Sequence, residues 1–287
     1  MSKLAWKNAI LPSLDQSPEE RVFDVYEEVD FRVPLTVSLR LSDEDIVQLP
    51  DPRSFRALSR AGLMLNAVGL KCQGILAPLV EEDPFSVGVY CAMQNGPEDY
   101  SSAKQMVNTP PEDFARTYKL LRSSKQFFRQ IPNIPPALLS ISLKAMGPQY
   151  VFSHSRWACL HALEQAEFDL QKAIVRAAVV CSAFSLEDPL LTMRVWRSIS
   201  ESSCLCEGAA ALVLFPSATT TDWRHLIPID ESRFYGTAHD LVLIATRSEQ
   251  YEQEQVPRGD ADDGGPGYVH NFPGEWTGDK IERHANQ

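Results

Sequence analysis

The sequence predicts an α/β fold, a mixed sheet flanked by helices, and three runs carry that expectation. Residues 150–153 (YVFS) read as a brief strand that turns at once into a helix over 157–172, residues 177–183 (AAVVCSA) as an apolar strand of the kind buried in a parallel sheet, and residues 208–215 (GAAALVLF) as another. Strand, helix, strand in that order implies a crossover connection. Apolar residues make up 44% and charged residues 23% of the 287, a globular balance with room for one large domain or two small ones.

The remaining elements follow in chain order. Residues 31–41 (FRVPLTVSLRL) alternate as a strand does, and Pro34 marks it as an edge or irregular element. Over 53–70, Phe55, Leu58, Gly62 and Leu65 recur at helical spacing, with Asp51 and Ser54 placed to cap the start. Residues 85–93 (FSVGVYCAM) read as a buried strand closed by the turn signal Asn95-Gly96-Pro97, and residues 94–111 as a surface loop. A helix is predicted over 111–130, with Glu112 and Asp113 in its first turn and prolines 132, 135 and 136 ending it. Residues 136–145 look helical until Gly147-Pro148 breaks the pattern. In the helix over 157–172, Cys159, Leu163, Ala166 and Leu170 share one face, and Glu164, Glu167 and Gln171 another. Residues 240–246 (DLVLIAT) suggest a further strand. The chain thus divides into an irregular N-terminal extension with a strand (1–50), an α/β domain (51–247) and an acidic tail containing Gly and Pro (248–287), expected to be flexible.

A formal charge of −11 argues against general affinity for nucleic acid or acidic membrane, and an acidic protein partner would need a local basic patch. No run of roughly 18 to 20 uncharged apolar residues stands out, and the N-terminus, with Lys3, Trp6, Lys7 and Pro12, lacks a signal-peptide core, so a cytoplasmic location is expected. Cys72, Cys91, Cys159, Cys181, Cys204 and Cys206 sit in mostly apolar contexts and read as reduced buried thiols. Only Cys204 and Cys206 are near neighbours, at a spacing unusual for zinc and with no His pair nearby, so neither metal nor cofactor is expected.

Together, residues 147–189 (GPQYVFSHSRWACLHALEQAEFDLQKAIVRAAVVCSAFSLEDP) and 206–215 (CEGAAALVLF) resemble the N-terminal half of β-ketoacyl synthases, a thiolase-like fold. In that family a Gly-Pro and a strand lead to a sharp turn bearing the catalytic Cys, then to a helix, a strand and an Glu-Gly-Ala-Ala strand. The parts occur here in that order, and the likeness extends more weakly upstream to about Arg53. The resemblance implies a truncated second half, since only about seventy residues follow Phe215 where the family has a second α/β unit.

Ketosynthase chemistry needs a thiolate at that turn, where amide dipoles lower the Cys pKa and sulfur accepts the acyl chain. Counted without gaps from Gly147-Pro148, the position holds Arg156, whose guanidinium stays protonated and cannot accept an acyl group. A carboxylate or solvent is expected beside it, because its charge opposes the helix dipole. Cys159 would become the nucleophile only under a shifted alignment, and otherwise reads as a packed thiol on the apolar helix face. His154 and His161 are relics of chemistry or hydrogen-bonded structural groups. The family also draws two His, or His and Asn, from its C-terminal half, and His225, His239 and His270 lie in no such context here.

These departures resemble chain length factors, which pair with active ketosynthases in type II polyketide and aryl polyene-type systems. On that reading no catalytic residue is expected. The protein would heterodimerise with a complete β-ketoacyl synthase, meet acyl carrier protein through that complex, and shape the end of the acyl tunnel in polyketide or fatty-acid-like elongation. The family pairs the strand before the turn across the dimer axis, which puts Gln149, Tyr150, Val151, Phe152 and Ser153 at the interface with Arg156 and Trp157 beside them. Tyr150, Phe152, Trp157 and the loop 94–100 are the tunnel-wall candidates, and aromatics beside a strand also simply pack. Two other readings stay open: a small acyltransferase or hydrolase using Cys159, Ser153 or Ser155 with His154, and a purely structural pseudoenzyme. Adjacent strand residues point to opposite faces, which makes Ser153 and His154 a poor dyad.

Overall fold

The computed structural model describes residues 2–12, 19–24, 32–46, 56–153, 157–197, 204–217 and 233–246. In chain order the strands are β1 (Ser2–Ile10), β2 (Glu19–Asp24), β3 (Arg32–Leu39), β4 (Val87–Ala92), β5 (Gln149–Phe152), β6 (Ala177–Phe184), β7 (Cys204–Cys206), β8 (Gly208–Pro216) and β9 (Arg233–Phe234). The helices are α1 (Asp43–Ile46), α2 (Arg60–Gly69), α3 (Gln73–Glu82), α4 (Tyr100–Val107), α5 (Phe114–Leu121), α6 (Ser124–Gln130), α7 (Ile134–Leu143), α8 (Ala158–Gln171), α9 (Pro189–Trp196) and α10 (His239–Thr246).

The main sheet has the order β1-β8-β6-β4-β5. Strands β5, β4 and β6 run parallel, and β8 runs antiparallel to both β6 and β1, so the sheet is mixed as expected. The 208–215 run is therefore a correction in one respect: it is buried on both faces, but not in parallel pairing. Strict alternation sorts the core. Tyr90, Ala92, Val180, Leu212 and Leu214 face the layer holding α8 and α10, while Val89, Cys91, Val179, Cys181, Ala211 and Val213 face α2, α3 and α7. Helix α8 buries Cys159, Leu163, Ala166 and Leu170, the face that the sequence pattern marks.

Several elements differ from their sequence reading. Residues 2–10 form β1, a full member of the main sheet, so residues 1–50 are not simply an irregular extension. Strand β3 falls within the predicted 31–41 run and sits inside a second sheet, β2-β3-β7-β9, rather than at its edge. Pro34 is tolerated because it lies opposite β2 alone, while β7 pairs only at Ser38 and Leu39. Helix α2 starts at Arg60, where the Ser59 hydroxyl accepts from Gly62 N at 3.2 Å; the expected caps Asp51 and Ser54 lie outside the described residues. The 94–111 loop contains α4, capped by Asp99. The single helix expected over 111–130 is broken at Arg122-Ser123 into α5 and α6, behind a short 3-10 turn. Residues 240–246 are helical, in α10, not a strand.

The run 60–82 is long and apolar enough to cross a membrane by length and composition, although Lys71 interrupts it, so it is not the uncharged run whose absence is expected above. It is a core element here: Met64, Leu65, Val68, Cys72 and Leu76 are buried in the second cluster. Helices α4, α5 and α6 instead contain no buried residue, and expose Val107, Phe114, Tyr118, Leu120, Phe127 and Phe128.

Candidate functional site

The parallel strands β4, β5 and β6 all end on one side of the sheet, and the turn from β5 into α8 starts there. Crevices at such carboxyl ends are where α/β proteins bind ligands. What sets the approach to this turn is Gly147. A Cβ there would meet Val87 O at 2.3 Å and Phe85 O at 2.8 Å, and the Gly147 amide donates to Val87 O. Lys144, left-handed at φ 58°, closes α7 one turn earlier.

His154, Ser155 and Arg156, the heart of the expected pseudo-active turn, lie outside the described residues, as do His225 and His270. Cys159 is described, and it is enclosed. Its thiol donates to Thr237 O at 2.7 Å, beside Ser182 Oγ, whose single proton has Ala92 O at 2.7 Å and Thr237 O at 3.1 Å within reach. Burial pushes the thiol up to about 12, with the Asp240 carboxylate adding to the shift. A thiol this well packed stays protonated at neutral pH. His161 is exposed, its ring 6.0 Å from that of Phe152. His239 packs against Phe234 and Tyr235.

Among the described residues, β5 is the outer strand of the main sheet. Pro148 O and Phe152 O accept from Val89 N and Met93 N of the β4 side, so by alternation the Gln149 and Val151 backbone groups point to the open edge. Gln149 is exposed and Tyr150 is 39% exposed. The Tyr150 ring stacks on Tyr90 at 5.7 Å, and Tyr90 OH is fixed by the buried Asp169 at 2.7 Å. Val151 and Phe152 are half-buried and pack on opposite clusters; Ser153 is half-buried and Trp157 exposed.

The loop 94–100 sits at the same end of the sheet. Gly96 and Pro97, with Ser59, Phe184 and Thr237, line a cavity of about 20 Å³, enough for a single water. Tyr150, Phe152 and Trp157 do not line this cavity, whereas Gln94, Asn95, Gly96 and Pro97 of the loop do. Asp188 holds the loop, accepting from Glu98 N and Tyr100 OH while capping α9.

The sequence reading passed over the polar centre that ties this face together. Glu207, from the Glu-Gly-Ala-Ala motif, has no exposed surface and accepts from Leu41 N, Leu186 N and Arg60 Nε. Arg60 also reaches Asp43 and Leu41 O, both at 2.5 Å, and its amide donates to Glu187, which pairs with Arg129. A charged residue inside an apolar motif was the signal for it. Among the described residues no His, Cys, Asp or Glu cluster could hold a metal ion.

The chain shares its mixed α/β fold with β-ketoacyl synthases of known structure. Among solved structures the chain is similar to AntDE:AntF, a type II polyketide acyl-carrier protein in complex with its ketosynthase bound to the hexaketide (19% identity, TM-score 0.50, 62% of this chain and 52% of that one). It is also similar to a β-ketoacyl synthase from Burkholderia phymatum (13% identity, TM-score 0.54, 75% of this chain and 59% of that one). The chain thus spans little more than half the length of these structures. No family model and no curated protein matches the sequence.

Proposed function

We propose that the protein is a non-catalytic, chain-length-factor-like subunit that pairs with a complete β-ketoacyl synthase and shapes the end of its acyl tunnel. The observation that carries this reading is the open edge of β5, with Gln149 and Val151 backbone groups directed outward beside the exposed Tyr150. An edge strand with unpaired amides favours addition of a partner strand. Arg156 at the expected nucleophile position and the enclosed Cys159 thiol favour a non-catalytic role over the acyltransferase alternative. The partner would supply the nucleophilic Cys and both His residues.

Acyl carrier protein would be met through that complex. Residues 100–130 carry six Lys and Arg against two acidic residues in a chain of net charge −11, the local basic patch that an acidic carrier needs. Co-expression of a Val151→Pro variant with a ketosynthase encoded nearby tests the pairing. Proline removes an outward-facing amide and leaves the β4 ladder intact, so the variant should fold and fail to co-purify. Undiminished co-purification contradicts the reading.

A further inference from the structure

Cys204 and Cys206 occupy alternate positions on β7, so both side chains project from one face of the strand. Their sulfurs lie 3.7 Å apart, with Cys206 donating toward Cys204. Cys204 retains 8% exposure and Cys206 none. Arg233 on β9 is the register partner of Cys204. This differs from the core pair Cys91 and Cys181, register partners across β4 and β6 that are both fully buried.

We propose that Cys204 and Cys206 form a reversible dithiol-disulfide site for low-molecular-weight disulfides, with Cys204 the attacking thiol and Cys206 the resolving one. The Cys206 thiol, and then the Arg233 guanidinium, hold the Cys204 thiol below its ordinary range despite its burial, whereas donation to Cys204 and burial push Cys206 far up. In the first step the Cys204 thiolate attacks one sulfur of the disulfide, forming a mixed disulfide and releasing one thiolate. Cys206 then gives its proton to the thiolate released in the first step and attacks the Cys204 sulfur, expelling the second thiolate, which takes a proton from solvent. One small disulfide is reduced to two thiols as the two cysteines become one disulfide. The Cα atoms of residues two apart on a strand are about 6.6 Å apart, near the outer limit for a disulfide, so the bond is strained and easily reduced.

The folded full-length chain is equilibrated in glutathione buffers of rising oxidised fraction, acid-quenched, alkylated and mapped by mass spectrometry. The peptide containing both cysteines should lose two hydrogens at the oxidising end and regain them with dithiothreitol, while Cys91 and Cys181 stay thiols. Cys206→Ser should accumulate a glutathione adduct on Cys204, and Cys204→Ser should take up none. Two free thiols at every ratio in the wild-type chain, or no adduct in Cys206→Ser, overturns the proposal.

Discussion

Arg60 Nε lies 2.9 and 3.0 Å from the two carboxylate oxygens of Glu207, a side chain with no exposed surface. Glu207 is tolerable in the core because its remaining acceptor capacity is met by Leu41 N and Leu186 N, which ties the start of α2 to β8 and to the end of β6. Arg60→Leu leaves the buried carboxylate with only the more distant, half-exposed Arg40 guanidinium, 3.9 Å away, as its ion-pair partner. Loss of about 3–5 kcal/mol is expected in urea unfolding. A Glu207→Leu, Arg60→Leu double variant should recover part of it, since removing both charges spares the desolvation cost.

Gly147→Ala tests the approach to the turn. Its Cβ would stand 2.3 Å from a backbone carbonyl, which cannot rotate away, so the chain must shift between α7 and β5. A loss of about 1–3 kcal/mol is expected in the same measurement, from overpacking.

Cys159 should behave as a protected thiol. Its folded pKa, about 12, lies above the unfolded value, so the folded state holds the proton more tightly. That contribution to stability is complete below the unfolded thiol pKa and is lost as pH rises through about 12. Alkylation at pH 8 should therefore spare Cys159 in the native chain and modify it once denatured, and Cys159→Ala should leave the activity of a reconstituted complex unchanged.

If Tyr150 and Trp157 help bound the partner's tunnel, trimming them lengthens the product. Tyr150→Ala and Trp157→Ala complexes should release longer acyl chains than wild type by mass spectrometry. An unchanged length distribution favours the purely structural pseudoenzyme.

The legible parts of the fold were those where one signal sufficed. β4, β6 and β8 are continuous apolar runs, and each is buried end to end except for the last residues of β8. The 240–246 run was misassigned because a short apolar stretch has no period that separates strand from helix. α4 was hidden because it buries nothing and so has no apolar stripe to read. β1 escaped because a half-buried strand with Lys3, Lys7 and Asn8 gives no alternation. The Arg60–Glu207 pair spans 147 residues, and no local pattern joins its halves.

The most direct test of the partner-subunit reading is the mass in solution, by light scattering on a size-exclusion column, of this chain purified alone and after co-expression with a complete β-ketoacyl synthase from the same locus. A stable one-to-one heterodimer, with the chain poorly soluble alone, is the expected result. A well-behaved monomer or homodimer that ignores the ketosynthase contradicts it.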